Sequence, residues 1–329
     1  MQNKPRFSCI AVAPMMDWTD RDCRYFLRLL SPDVRLYTEM VTARALLHGP
    51  AERLLDFDPL EKPLALQLGG SVPSELGRAA ALVQASYSYD EINLNVGCPS
   101  DRVQSGRFGA CLMSDPELVA DCVTAISDSW DGLVSVKTRI GIDDHDDYAF
   151  LSDFIAPVAA AGCDTFIVHA RKAILKGLSP KQNRSIPPLK YPHVYRLKAE
   201  FPNLRIIING GIDATEAIDE HLRQVDGVML GRKAYSDPYF LVELQQRYLG
   251  GFSGAAPTRQ GVMQEMSRYA QTRLQQGGRL TNISRHLLGL YAGQPGAARW
   301  RRFVSESSRG SGVGADVLLD SLELMRRPA

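Results

Sequence analysis

The chain has 329 residues, 45% hydrophobic and 23% charged, an ordinary globular composition. A net charge of +1 names no partner, and no apolar run approaches the ~20 residues that cross a bilayer. The opening MQNKPRFSCIAVAPMMDW lacks the regions of a secretory signal. The six cysteines (Cys9, Cys23, Cys98, Cys111, Cys122 and Cys163) show no CxxC or CxxH spacing. They are too sparse for a disulfide scaffold and wrongly spaced for zinc, so a reduced cytosolic protein without a metal is expected.

In chain order, strands are predicted over 8–13, 34–39, 64–69, 90–95, 133–138, 164–169, 204–209 and 226–231. They are near-continuous apolar runs such as RIIING, the pattern of parallel strands buried on both faces. Their starts lie 22 to 43 residues apart, which leaves room for a crossover helix in each interval. This fits an α/β fold of the (β/α)8 TIM barrel type better than an open doubly wound sheet. No GxGxxG follows the first strand.

Helices are predicted over 238–249, 259–276, 283–290, 297–307 and 314–325, where apolar residues recur at helical spacing. The expected organisation is a barrel domain over 1–245 and a C-terminal helical bundle domain over 246–329. Charge divides in a similar way. From Arg247 onward there are 12 Arg, no Lys and 5 acidic residues, whereas the first 246 residues carry a net −6. An acidic body with an Arg-only tail suits a module that meets a polyanion; a solvated helical surface is the bland alternative.

The strand ends carry the chemistry. In order they deliver Pro14, Met15, Met16 and Asp17; Glu39; Gln67; Asn95; Lys137; His169; Asn209, Gly210 and Gly211; then Gly231 and Arg232. Side chains at the carboxyl ends of barrel strands converge on one mouth, where barrel enzymes hold their active sites. One polar end is a cap or turn, but six or seven together read as an active-site ring.

The glycines after the seventh and eighth strands, with Arg232, suit a phosphate, although tight turns also need glycine. Lys137 ends the apolar run VSVK. It could form a Schiff base or stay cationic and stabilise negative charge on a flavin or substrate. His169 could donate a hydrogen bond or accept a proton, or serve only as a structural donor. Cys98 lies in the Gly/Pro-flanked loop NLNVGCPSDRV, where a thiol near cations can act as nucleophile or proton donor, or merely pack. The other five cysteines sit on a strand or in helix-like stretches and are expected to be buried and inert. In GAARWRRF at 296–303, Arg299, Arg301 and Arg302 suit phosphate contact, while Trp300 and Phe303 read as core.

Taken together, APMMDWTDR at 13–21, YTEMV at 37–41, LQLGG at 66–70, EINLNVGCPSDRV at 91–103, VKTRIG at 136–141, HAR at 169–171, INGGI at 208–212 and GVMLGR at 227–232 resemble the tRNA-dihydrouridine synthases. The stretch HARKAILKGLSPKQNRSIPPL at 169–189 resembles the subfamily that acts on uridines 20 and 20a of the D-loop. The resemblance implies tightly bound FMN and NADPH as reductant. It places Pro14, Met15 and Met16 along the isoalloxazine edge and Gln67 in a hydrogen bond to the ring. Lys137 and His169 lie near the ring, and Asn209, Gly210, Gly211, Gly231 and Arg232 hold the phosphate.

The implied reaction reduces the C5–C6 bond of a flipped-out uridine in tRNA, with hydride from flavin N5 to C6 and a proton from Cys98 to C5. Asn95 would hydrogen-bond the uracil or its ribose, Lys181 and Arg184 would meet tRNA backbone at the rim, and Arg299, Arg301 and Arg302 would meet it from the tail. A cytoplasmic monomer acting on the D-arm is expected. Three rivals compete: an FMN barrel oxidoreductase acting on a free pyrimidine, similar to dihydroorotate dehydrogenase; a Schiff-base aldolase; and a non-catalytic RNA-binding barrel. The first has no need of an Arg-rich tail, the second needs no flavin, and the third leaves Lys137, His169 and Cys98 without a task.

Overall fold

Eight parallel strands close into a barrel in the computed structural model, which describes residues 10–310 and 312–326. They are β1 (Ile10–Val12), β2 (Leu36–Tyr37), β3 (Leu64–Gly69), β4 (Glu91–Val96), β5 (Leu133–Arg139), β6 (Thr165–His169), β7 (Arg205–Asn209) and β8 (Gly227–Leu230). All eight predicted strands are present. Residues 8 and 9 of the first prediction lie outside the described residues. Each strand from β3 to β8 pairs in parallel with the next, and β8 pairs with β1. The ring closes between β1 and β2, where Val12 N–H donates to Arg35 O at 2.9 Å and Arg35 N–H to Ile10 O at 3.1 Å. A further two-residue strand, Val41–Thr42, pairs with the end of β3 and was not announced by any apolar run.

The crossover helices Pro73–Ser86, Pro116–Ser127, Tyr148–Ala160, Tyr191–Glu200 and Thr215–Leu222 fall between successive strands. Local chemistry sets their starts. Pro73 and Pro116 lie in the first turn, where no N–H is needed, and Asp115 and Asp147 accept from Leu118 N–H and Phe150 N–H as N-caps. In the first of these helices Leu76, Ala79, Ala80 and Val83 are buried, the spacing of one helical face.

A strand exposes alternate residues to each side, so parity decides what fills the barrel. Ala11, Ala13, Tyr37, Ala65, Ile167, Ile207 and Met229 form one buried cluster, and all are odd-numbered. On β3, β4 and β5 the same parity delivers Gln67, Glu91, Asn93, Asn95, Ser135 and Lys137. One side of the barrel interior is therefore apolar and the other is polar.

The described residues form two compact units, with one junction between Gly231 and Arg232. Of the described residues, the first unit holds 10–16, Arg35–Phe57 and Lys62–Gly231; the second holds Asp17–Val34, Asp58–Glu61 and those from Arg232 onward. Within the second unit the helix Arg21–Leu30 is tied to residues far along the chain. Tyr269 Oη donates to Asp22 Oδ1 at 2.6 Å, Ser31 Oγ to Gln245 Oε1 at 2.7 Å, and His286 Nε2 lies 3.0 Å from Asp20. Arg24 makes a buried ion pair with Glu61 at 2.6 Å.

The remaining helices of this unit include Phe240–Tyr248, Arg259–Gln275, Leu280–Leu287 and Ala297–Ser307, as predicted to within a few residues. The last predicted helix is instead two short ones, Asp316–Asp320 and Glu323–Arg326. No helix among the described residues is long and apolar enough to cross a membrane.

Candidate active site at the carboxyl end of the barrel

Pairing register makes the polar strand ends lateral neighbours. Asn95 stands opposite Lys137, and His169 stands between Arg139 and Asn209. Lys137 Nζ donates to Asn209 Oδ1 at 3.3 Å, and Asn209 Nδ2 in turn donates to Met229 O at 2.7 Å, which holds the amide one way round. Burial and the nearby Arg139 charge lower the Lys137 pKa to about 7. Burial also pushes His169 well below its ordinary value, aided by the charges of Arg139 and Lys137. His169 is thus a neutral imidazole near pH 7, a hydrogen-bonding group in place of a second cation.

The lysine reading is testable without any ligand. Amine modification of Lys137, mapped by mass spectrometry across a pH series, should show a midpoint near pH 7. A midpoint at the ordinary lysine value would overturn the assignment.

Cys98 sits just beyond β4, partly exposed, with Sγ donating to Ser100 Oγ at 3.6 Å. Asn95 Oδ1 shapes the loop by accepting the N–H groups of Gly97 at 3.1 Å and Cys98 at 3.0 Å. From the other side Arg139 Nε donates to Gly97 O at 2.8 Å, and its Nη1 donates to Lys172 O and Asn183 O. Both Lys137 and Arg139 are coupled electrostatically to Cys98, so the thiol stands in a cationic corner. Cys23, Cys122 and Cys163 are buried as expected, and burial pushes the Cys122 and Cys163 thiols up to about 12. Cys111 corrects the expectation: it is partly exposed, its Sγ donating to Phe108 O at 3.2 Å.

After β7 the chain turns through Gly210 and Gly211 at φ +119° and +72°. A Cβ on Gly210 would lie 2.7 Å from His169 Cδ2, and one on Gly211 would lie 2.6 Å from Leu189 Cδ1. Glycine is required at both positions. At Gly231 a Cβ would meet nothing within 4 Å, so space opens in front of that backbone.

A family profile described as dihydrouridine synthase matches residues 11–323. The chain is 56% identical over 308 residues to a Shewanella oneidensis protein named tRNA-dihydrouridine(20/20a) synthase, covering 94% of this chain and 91% of that one. Proteins of the same name from Salmonella typhimurium and Synechocystis are 54% and 53% identical, each covering 97% of this chain and 95% of its own. The chain belongs to the dihydrouridine synthase family.

In this dihydrouridine synthase a Lys137 pKa of about 7 leaves the charged and the neutral amine comparably populated near neutral pH, the first suited to electrostatic stabilisation and the second to a Schiff base. Among the remaining expected residues, Gln67 is buried beside Asn93 and Asn95, with Nε2 donating to Asn93 Oδ1 at 2.7 Å. Pro14 and Met15 are half-buried after β1, and Met16 is exposed. Arg232 opens the short helix Arg232–Ser236, which belongs to the second unit. Lys181 and Arg184 are exposed in the loop after β6.

Trp300 is fully buried, with Nε1 donating to Ser321 Oγ at 3.0 Å, so it is core as read from sequence. Many tail arginines serve the fold of this unit. Arg273 pairs with Asp22, Arg285 with Asp20, Arg302 with Glu306, and Arg299 donates to Leu324 O. Arg279, Arg301 and Arg309 are exposed, with no side-chain partner among the described residues. Sequence reasoning missed Arg139, which closes VKTR two residues past the lysine on the same strand, and the whole polar interior below Asn95. The alternation of Glu91, Asn93 and Asn95 in EINLN was its only signal.

Proposed function

We propose that this protein reduces the C5–C6 bond of uridine to 5,6-dihydrouridine in the D-loop of tRNA, at position 20, 20a or both. Family membership makes dihydrouridine formation the reaction. The observation that carries the site is Asn95 holding the Cys98 loop beside the Lys137, His169 and Asn209 cluster. The glycine turns, the open backbone at Gly231 and the buried Lys137 amine fit a cofactor that combines a phosphate with a ring whose negative charge would hold a proton on that amine. The residues that would hold it are Pro14, Met15, Met16, Gln67, Lys137, His169, Asn209, Gly210, Gly211, Gly231 and Arg232. That cofactor is FMN, which when bound and reduced by NADPH supplies hydride to C6 of uracil.

The chain's own residues do the rest. A stacked base cannot enter the mouth, so the uridine is flipped out and Asn95 meets the uracil or its ribose. Cys98 donates its thiol proton to C5 and recovers one from solvent, to which it is partly open. Lys137 supplies positive charge and neutral His169 supplies a hydrogen bond. Lys181 and Arg184 take tRNA backbone at the rim. The helical residues 246–329 bring Arg299, Arg301 and Arg302 to the same polyanion. Backbone contacts position without reading sequence, so orientation of the whole tRNA selects the uridine. The protein works as a cytoplasmic monomer.

The test is incubation with NADPH and tRNA lacking dihydrouridine, followed by nuclease digestion and mass mapping. A gain of two hydrogens at position 20 or 20a is expected. No gain, with a flavin that NADPH still bleaches, would favour reduction of a free pyrimidine.

Arg301→Ala combined with Arg302→Ala is expected to weaken tRNA binding and reduce the slope of log affinity against log salt by about 0.7–0.9 per lost phosphate contact. An unchanged slope would remove these two arginines from the interface.

A further inference from the structure

On the polar side of the barrel interior a single chain of hydrogen bonds runs from Glu91, at the start of β4, to the Cys98 loop. Arg35 Nη1 donates to Glu91 Oε2 at 3.2 Å, and Tyr37 Oη donates to Glu91 Oε1 at 2.9 Å. Ser135 Oγ also donates to Glu91 Oε1. Asn93 Nδ2 then donates to Ser135 Oγ at 2.7 Å, Gln67 Nε2 to Asn93 Oδ1 at 2.7 Å, and Asn95 Nδ2 to Gln67 Oε1 at 2.9 Å. Asn95 Oδ1 ends the chain on the N–H groups of Gly97 and Cys98. Every side chain in it is buried.

Both ends of this chain have a fixed sense. A carboxylate beside an arginine accepts, and a backbone N–H can only donate. A hydroxyl has one proton, so a Ser135 that donates to Glu91 can only accept from Asn93. Each amide in turn is then held one way round, since a flip would set N–H against N–H or oxygen against oxygen among buried groups. Each link donates on one side and accepts on the other, so the sense set at Glu91 passes unchanged to Asn95.

We infer that Glu91, acting through Ser135, Asn93 and Gln67, is a positioning residue that fixes the orientation of Asn95 and thereby the place of the Cys98 thiol. It touches no substrate. The inference rests on the reading of Cys98 as the proton donor for its catalytic consequence, but its geometric content does not.

The test is Ser135→Ala in the flavin-loaded protein, which cuts the chain and leaves the Arg35–Glu91 pair in place. Alkylation of Cys98, mapped by mass spectrometry against Cys111 in the same sample, is expected to change about tenfold. Single-turnover tRNA reduction should fall by a similar factor, because displacement of a reacting group by about 1 Å costs rates on the order of tenfold to a hundredfold. Flavin reduction by NADPH should fall far less, since of the residues that would hold the flavin only Gln67 lies on the chain. Ser135→Thr, which retains the hydroxyl, should restore both rates.

A Cys98 alkylation rate within about twofold of wild type overturns the inference, as does an equal fall in the NADPH half-reaction, because reacting groups that act as a unit lose rate together. Should Ser135→Ala fail to fold, Asn93→Leu cuts the chain one link further on and is read by the same criteria. Cys98→Ala separates the two claims. If it retains turnover, Cys98 is not the acid, while the alkylation result still decides whether the chain positions the loop.

Discussion

Cys98→Ala is expected to lower tRNA reduction by about 10²–10⁴-fold, the contribution of a positioned general acid, while NADPH still bleaches the flavin at the wild-type rate. That loss corresponds to about 3–5 kcal/mol of barrier, far more than the stability cost of trimming one partly exposed thiol. The loop itself should survive the change. Asn95 Oδ1 grips backbone N–H groups, and alanine at 98 keeps its own. Gly97 O also remains tied to Arg139. A fall confined to the tRNA half-reaction therefore reports the lost proton and not a displaced loop. Stopped-flow flavin absorbance and mass-mapped dihydrouridine separate the two half-reactions. Turnover equal to wild type would exclude the thiol as acid.

Arg35→Met should have the largest effect on stability, a loss of about 3–5 kcal/mol near neutral pH, because it strands Glu91 inside the barrel. The pair is 3.2 Å apart and both side chains are almost completely buried. Burial raises the Glu91 pKa, opposed by Arg35 and by hydrogen bonds from Ser135 and Tyr37. A carboxyl whose pKa is higher folded than unfolded binds its proton more tightly in the native state. Its contribution is therefore fully present below the unfolded value and is lost as pH rises through the folded value.

Without Arg35 the Glu91 pKa rises further, so the variant's deficit should shrink on acidification, where Glu91 is neutral. Denaturant melts of both proteins at pH 5 and pH 8 would show this, and equal deficits at the two values would refute it. Adding Glu91→Gln to Arg35→Met should recover much of the loss, since the penalty is the unpaired charge and not the missing volume.

The compact second unit also bears on how the tail is tested. Deleting 246–329 would remove Tyr269 and Arg273 from Asp22 and His286 from Asp20. The helix Arg21–Leu30, which that unit needs, would be left with unsatisfied partners. Point substitutions at exposed arginines probe RNA contact without this loss.

Much of the barrel was legible in the residues alone. Parallel strands buried on both faces must be apolar along their length, so RIIIN and GVML announce themselves, and the interval between them must hold a helix. The same logic exposed Gln67, Asn95, Lys137, His169 and Asn209, because a buried strand has no structural need to end in such groups. Val41–Thr42 carries no apolar run, and two residues are too few to show a period.

What the residues could not say is which polar groups meet. Glu91 finds Arg35 and Tyr37 more than fifty positions away, and Asn93 finds Ser135 forty-two away. Those meetings depend on the register of four strands around a closed ring. Likewise Asp20 and Asp22 read as an ordinary capped helix start until folding sets them beside residues about 250 positions further on. Burial and periodicity act locally along the chain, which is why the barrel, its helical tail and the kinds of group at its mouth could be read from residue order. The hydrogen-bonded order behind Cys98, the neutral state of His169 and the division of the arginines between fold and surface emerge only on folding. Desolvation and partner geometry are properties of neighbours in space.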